Sequence, residues 1–573
     1  MRINNYGKNG YNRKAAQWIK DAWHLAKPYW SSDRKYRAIG LISLVIILNL
    51  AYVYITVVAN SWYNAFYDAL QRYDKEHFAP LVIKFGWIAF FNVIVQLLSF
   101  YIRKYLEIDW RKWMTDRYIS SWLSNQSYYK TRFTEKVDNP DQRISEDVGG
   151  FISSTLDLSL GLLTSIVSLC SFVTILWHLS GNLNFTLFGH KLYLPGYMVW
   201  LAVAYAAIGT YITFKIGKPL VKLNFKQQAY EADFRFGLLR IREYSEDIAF
   251  YNGEDQERTG LTARFHNVVD NFMRVVKRTL KINGFNFAYG QTSILFPLLI
   301  NVPRYLSKSI TLGDLMQINS AFGRVQDALS YFLDAYTSLA GWRAVMDRLY
   351  GFEESVTNAA GLNGINKGVN DTSLIRVNNL TLNLPNATQL INNVSFNLDA
   401  GDRLLIRGRS GSGKTTLLRA LAGLWPYANG EIKQAQDKKE LFIGQRPYVP
   451  SIKLSNAICY PVKQSITKEE ITMIMRECGI AYLVNRLDEV ADWGKILSLG
   501  EQQRLAFVRI LINQPDIIYL DEATSALDEE MEQHLYQLLI DRLPMSAIVS
   551  IGHRSTLKQW HTQELNFNQL KSA

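Results

Sequence analysis

Apolar positions cluster in long runs through the first half of the chain and break into short alternating stretches in the second. Residues 38–60, 158–179, 192–214 and 282–302 carry no Asp, Glu, Lys or Arg, and 83–102 carries only Lys84. Each run is close to the ~20 residues that cross a bilayer as a helix. A sixth run, 309–332, is interrupted by Asp314, Arg324, Asp327, Gln317 and Asn319. A charge at the bilayer centre costs about 2.5–3.5 kcal/mol on insertion scales, so these side chains are expected to face a cavity or a partner. The pattern predicts six membrane helices, an even number that leaves both ends on one side. Residues 103–130 and 220–281 are rich in helix formers and predict helices running on beyond the bilayer. In Ala15–Ala26, Trp18, Ile19, Ala22, Trp23 and Leu25 gather largely on one side, as in a helix lying at the membrane interface.

Charge fixes the expected orientation. Segments 1–37, 103–153 and 215–282 carry 31 Lys and Arg, against five in the intervening loops. Basic loops stay in the cytoplasm, so the N-terminus and the second half are expected there. The same rule accounts for the net charge of +12 without a nucleic-acid partner. Cys170, Cys459 and Cys478 form no close pair and no metal spacing, and read as reduced, buried thiols. The basic, aromatic N-terminus lacks the apolar core of a cleavable signal. Asn49, Tyr52, Tyr54, Asn60, Asn92 and Gln96 lie inside spans, where they bond other helices or line a wet cavity. Lys84 and Asp157, near span ends, are placed to reach the headgroups. The membrane domain is expected over 1–350, a linker over 351–371 and a soluble α/β domain over 372–573, with no tandem repeat.

The second domain carries the candidate chemistry. Leu404–Arg407 is a short apolar strand leading into Gly408, Arg409, Ser410, Gly411, Ser412, Gly413, Lys414, Thr415 and Thr416, after which the texture turns helical. Strand, glycine-rich loop and helix form a phosphate loop: residues without Cβ let successive N–H groups turn towards phosphate oxygens, with the helix N-terminus aimed at the anion. Lys414 belongs at the β- and γ-phosphates and the Thr415 hydroxyl on Mg²⁺. A second strand, Ile517–Leu520, delivers Asp521 to the metal and Glu522 to the attacking water. His553 follows a third strand, Ala547–Ile551, and Gln445 lies in Phe442–Pro447.

With Leu497-Ser498-Leu499-Gly500-Glu501, these motifs resemble ATP-binding cassette (ABC) transporters along nearly the whole chain. The resemblance implies a six-helix, exporter-type (type IV) membrane all-α domain fused to an α/β phosphate-loop cassette, with ATP and Mg²⁺ as ligands. It also implies that Ser498 and Gly500 touch the γ-phosphate held by a second copy of the chain, that Asp528 lies in the loop linking the two sites, and that Gln445, Glu522 and His553 complete catalysis. Three positions depart from the family pattern. Leu499 and Glu501 stand where glycine and glutamine are usual, and Leu384 stands nearest the usual adenine-stacking aromatic. Ala26–Trp30, Phe66–Leu70, Trp110–Trp113, Asp138–Ile144, Phe234–Glu243 and Ile248–Glu254 resemble the bacterial SbmA/BacA-like transporters. That implies a multi-pass protein of the bacterial cytoplasmic membrane taking up large hydrophilic solutes: cobalamin, bleomycin-like compounds or peptides. Export of lipids, fatty-acyl compounds or drugs, and an ATP-dependent sensor that transports nothing, are the alternatives.

Overall fold

The computed structural model describes residues 15–134, 139–187, 190–362, 364–365, 367–369, 373–461 and 466–567. Contacts divide the chain into two units, Met1–Leu123 with Val137–Glu354, and Ser124–Lys136 with Ser355–Ala573. Asp138, in the motif before Ile144, lies outside the described residues.

The first unit is helical: α1 (Ala15–Trp30), α2 (Lys35–Gln71), α3 (Lys75–Leu123), α4 (Val148–Ser180), α5 (Tyr197–Glu243), the short α6 (Ser245–Tyr251), α7 (Glu254–Leu306) and α8 (Leu312–Gly361). Four of the predicted runs lie wholly inside α2, α3, α4 and α7, and most of the other two lies in α5 and α8. At 1.5 Å per residue, a helix of about 50 residues is about 75 Å long, against about 30 Å of hydrocarbon, so most extend well past a bilayer. Among the described residues, four long helices carry a strongly apolar window: Lys35–Gln71, the helical stretches Lys75–Lys130 and Pro140–Ser180, and Tyr197–Glu243. In α7 the run is uncharged but diluted by Asn283, Asn286, Gly290 and Gln291, and in α8 by its charges. In α1, Leu25, Ala26 and Tyr29 are buried, with Tyr29 stacked on Trp110 at 5.3 Å, while Ile19 and Trp23 stay exposed.

Three expectations need amendment. The run 192–214 begins as a strand: β1 (Asn182–Leu187) pairs antiparallel with β2 (His190–Pro195), and the helix starts only at Tyr197. Asn182-Leu-Asn-Phe-Thr-Leu187 alternates with period two, which favours a strand. Cys170 is exposed, because a span can turn apolar side chains outwards to lipid; Cys459 and Cys478 are buried. Helix α8 continues to Gly361 through a stretch with no proline, past the start of the expected linker.

The second unit holds two sheets. Strands β3 (Lys367–Val369), β4 (Ile375–Asn383), β5 (Gln389–Leu398) and β7 (Ala428–Gln434) form the smaller, in the order β3-β7-β4-β5. The larger is all parallel, ordered β11-β6-β10-β9-β8, from β6 (Arg403–Arg407), β8 (Glu440–Ile443), β9 (Ile517–Asp521), β10 (Ala547–Ile551) and β11 (Gln563–Asn566). Its central strands are nearly all apolar because helices cover both faces: α9 (Lys414–Leu421), α10 (Leu499–Asn513) and α11 (Glu529–Arg542) belong to this unit. Phe133, between α3 and α4 in sequence, packs here, edge-on to Trp425 (centroids 5.2 Å apart) and Tyr427 (6.0 Å).

One buried ionic cluster ties the start of α4 to α8. Ahead of α4, Arg143–Asp147 forms a single π-turn. Asp147 accepts from Arg143 within that turn and from Arg348 at 2.6 and 2.9 Å. Burial works to raise the Asp147 pKa, but the hydrogen bonds from Arg348 and Arg143 outweigh it and hold the carboxyl below its usual range. Asp147→Asn removes the charge that both Arg143 and Arg348 bond and is expected to cost about 3 kcal/mol, the lower end for a broken buried pair. Because the folded pKa is depressed, this stability is present above the unfolded pKa of about 3.9 and is lost as pH falls through the folded value. Tryptophan-monitored melting of the solubilised protein at neutral pH checks it; an unchanged Tm rejects the account.

Candidate nucleotide site

The parallel sheet assembles the site by strand order. Strands β6, β10, β9 and β8 are neighbours, and the segments leaving their C-terminal ends carry the Gly408–Thr416 loop, His553, Asp521 with Glu522, and Gln445 respectively. Adjacent strands lie about 4.8 Å apart, so four motifs scattered over 146 residues of sequence fall into one row along the sheet edge, where open α/β sheets bind ligands.

The loop after β6 has the backbone of an anion cradle. Gly411 and Gly413 have φ of +74° and +101°, and a Cβ on Gly413 would lie 2.8–2.9 Å from Leu390 and Ile391. Lys414 is buried; its ammonium donates to the Gly408 and Arg409 carbonyls at 2.8 and 3.0 Å and lies 3.3 Å from His553 Nε2. Burial lowers the Lys414 pKa, against the pull of Glu522 and Asp521. Ser412 Oγ is buried without a hydrogen-bond partner. A stranded hydroxyl beside a glycine-lined cradle fits a phosphate group. Burial also raises the Asp521 pKa, opposed by a hydrogen bond from Thr415. Among the described residues, no cluster of three or more His, Cys, Asp or Glu forms a metal centre. Thr415 and Asp521 instead offer hard oxygens of the kind Mg²⁺ takes together with phosphates.

Glu522 follows with φ +51°, a conformation that costs a non-glycine residue about 1 kcal/mol or more. Its N–H donates to Ile551 O at 3.0 Å and its carbonyl accepts from Ser525 N–H at 3.1 Å. The His553 Nε2 lies 3.4 Å from Glu522 Oε1, so this nitrogen stands between the carboxylate and the Lys414 ammonium and can serve either, as proton donor or acceptor.

The residue that sequence reasoning missed is Gln503. It is fully buried. Its amide nitrogen donates to the Gln445 carbonyl at 3.0 Å and to Ser525 Oγ at 3.2 Å, and lies 3.5 Å from the Glu522 carbonyl; its oxygen accepts from Ala526 N–H at 3.0 Å. One side chain thus joins the loop after β8, the Glu522 turn and the loop before α11. Sequence gives little signal for it, because Gln503 sits in the polar run Glu501-Gln502-Gln503-Arg504 at the head of α10.

Ser498 and Gly500 form a separate cluster. Ser498 caps α10 and bonds Glu501, and a Cβ on Gly500 would lie 3.2 Å from Ala526 O. Asp528 caps α11, accepting from Met531 N–H at 2.7 Å. Leu384 packs on the core beside the smaller sheet, with its N–H on Thr388 O.

The whole chain has known relatives. Residues 25–306 match the family described as ABC transporter transmembrane region 2, and residues 391–525 match the family described as ABC transporter. An ABC transporter ATP-binding protein of Haemophilus influenzae is 39% identical over 551 residues, 96% of this chain and 92% of that protein. The lysosomal cobalamin transporter ABCD4 of Homo sapiens is 26% identical over 93% of this chain and 92% of its own length. The solved structure of a bacterial Atm1-family ABC exporter with ATP bound has the same fold, with TM-score 0.70 at 17% identity over 94% of each chain. With its membrane helices and its phosphate-loop sheet in one polypeptide, this chain belongs to the ABC transporter family and is an ATP-hydrolysing transporter.

Proposed function

We propose that two copies of the chain work as a pair in a bacterial cytoplasmic membrane, each lending Ser498 and Gly500 to the ATP held on the other's Gly408–Thr416 loop. The observation that carries this reading is the division of the phosphate shell within one chain. Lys414, Thr415, Asp521, Glu522 and His553 gather at the sheet edge, while Ser498 turns its hydroxyl to Glu501 at the head of α10. A γ-phosphate needs donors on all sides, so the second group is supplied by a partner.

In this reading the N–H groups from Gly408 to Thr416 wrap the phosphates and Lys414 adds a fixed charge. Glu522 orients and deprotonates the attacking water. His553, held between Glu522 and Lys414, steadies the γ-phosphate. Thr415, Asp521 and Gln445 would hold Mg²⁺, which would neutralise charge on the phosphate oxygens. Gln503 keeps the Gln445 loop and the Glu522 turn in register. Motion from the cassette reaches the spans through the stretches near 138–147 and 236–254.

The cargo is a large hydrophilic solute such as cobalamin, a bleomycin-like compound or a peptide, and the direction is uptake. The resemblance to SbmA/BacA-like transporters supports this, as does the likeness to a cobalamin transporter. So does a cavity of about 520 Å³ in the first unit, lined by Asn49, Tyr52, Gln96 and Ser99 and by the ion pair Arg103–Asp157. Polar groups at this depth belong to a wet or ligand-filled space.

Three outcomes follow. Glu522→Gln is expected to bind ATP normally and to lose roughly a hundredfold or more in kcat, the scale of a lost general base; hydrolysis near the wild-type rate removes Glu522 from catalysis. Gln503→Leu, which keeps bulk and loses the amide, is expected to lower kcat about tenfold or more while Kd for ATP shifts by less than about threefold, because the catalytic turn rather than the cradle is released. Equal loss in both constants contradicts that division. Right-side-out vesicles loaded with ATP should accumulate labelled cobalamin or peptide with the wild type and not with Glu522→Gln. Accumulation confined to inverted vesicles with external ATP reverses the direction.

A further inference from the structure

The head of α10 holds a charge that the proposed reaction does not use. Glu501 is the third residue of the helix. One carboxylate oxygen accepts the Ser498 N–H at 2.7 Å and the Ser498 hydroxyl at 2.8 Å, and the Glu501 N–H points back to Ser498 Oγ at 3.4 Å. The other oxygen accepts the Tyr482 hydroxyl, from the turn Ala481–Arg486. Burial works against the charge, but the bonds from Tyr482 and Ser498, with Arg504 nearby, outweigh it and set the Glu501 pKa below its usual range. Tyr482 is pushed up to about 12 by burial and by Glu501. The carboxylate is therefore ionised and the phenol protonated at neutral pH.

A phosphate approaching this turn meets donors that are already taken. A helix N-terminus offers unpaired N–H groups and about half a positive charge, which is why anions bind there. The Ser498 hydroxyl has one proton, and it can point to Glu501 or to a phosphate oxygen, not to both. A second anion brought to the same donors is also repelled by the first.

We infer that Glu501 is a positioning residue for nucleotide-driven pairing: its carboxylate holds the Ser498 hydroxyl in the place of the partner-bound γ-phosphate, and it must release that hydroxyl for the shared pocket to close. The inference rests on the reading that Ser498 completes the pocket of a second copy. Tyr482 strengthens the hold by anchoring the far carboxylate oxygen. Arg504, on the same helix and bonded to Gly479 O at 2.7 Å, supplies the positive charge towards which the freed carboxylate turns.

The test is steady-state ATP hydrolysis by the full chain in lipid nanodiscs. Glu501→Gln keeps a side chain that also closes a capping box but removes the charge. Its KM for ATP is expected to fall about two- to tenfold, the range set by one charge at a helix N-terminus, with a smaller change in kcat. Tyr482→Phe loosens the same carboxylate without touching the cap and is expected to shift KM in the same direction by less. A purely structural cap predicts no KM change for Glu501→Gln. An unchanged or raised KM in either folded variant, judged by wild-type Tm, overturns the proposal. Titrating Glu522→Gln chains into wild type separates the underlying reading: activity lost faster than in proportion supports shared pockets, and strictly proportional loss sinks the pairing itself.

Discussion

A buried amide with no cheap alternative holds the catalytic edge of the cassette together. Gln503 is sealed from water and bonded to the Gln445 carbonyl, Ser525 Oγ and Ala526 N–H, with the Glu522 carbonyl alongside. Moving one of these segments alone would strand a buried donor or acceptor, at about 1–3 kcal/mol each. The three segments therefore keep one register or change it together. Neighbouring bonds reinforce the loop before α11: Glu532, fully buried, accepts from Thr524 and Thr556 at 2.6 Å, and Arg554 donates to Leu527 O at 2.8 Å. The strain at Glu522 is tolerated because this network fixes the backbone on both sides of it.

The membrane unit obeys a different accounting of exposure. Large apolar side chains such as Phe90, Phe91 and Leu97 face outwards, as lipid allows, while several polar residues of the spans find partners. Asn60 Nδ2 donates to Gln317 O at 3.2 Å, Asn64 to Asp314 at 2.8 Å, and the buried Asn301 accepts from Tyr197 at 2.8 Å. The charges that interrupt the sixth run are thus answered in part by α2: Asp314 meets Asn64, and Asp68 accepts from the Gly313 N–H at 2.8 Å. Gly313 fits there because a Cβ would collide with this polar end of α2.

Much of this was legible in the chain because the signals are local. Uncharged runs of span length and a phosphate loop between strand and helix each lie within about 20 residues, and the basic bias of alternate loops is a count along the sequence. What sequence missed is set by contacts distant in sequence. Only the end of β2 falls inside the apolar run 192–214, and the alternation that marks the hairpin lies before it, in β1. Gln503 reaches residues 58 positions back and 23 ahead, and Phe133 finds its aromatic partners nearly 300 residues away. The exposure of Cys170 is not legible either, because in a span apolar surroundings do not mean the protein interior.

The two departures at the signature turn have unequal weight in the structure. Leu499 takes the first position of α10, where the backbone is helical and no glycine is required. Glu501 changes more, because an acid at the third helical position completes a capping box as well as glutamine does and also adds a charge. Capping alone therefore gives no reason to prefer the acid. Its charge matters only when another anion comes to the same turn, so the substitution acts where the helix end meets a phosphate and not in the stability of the isolated helix.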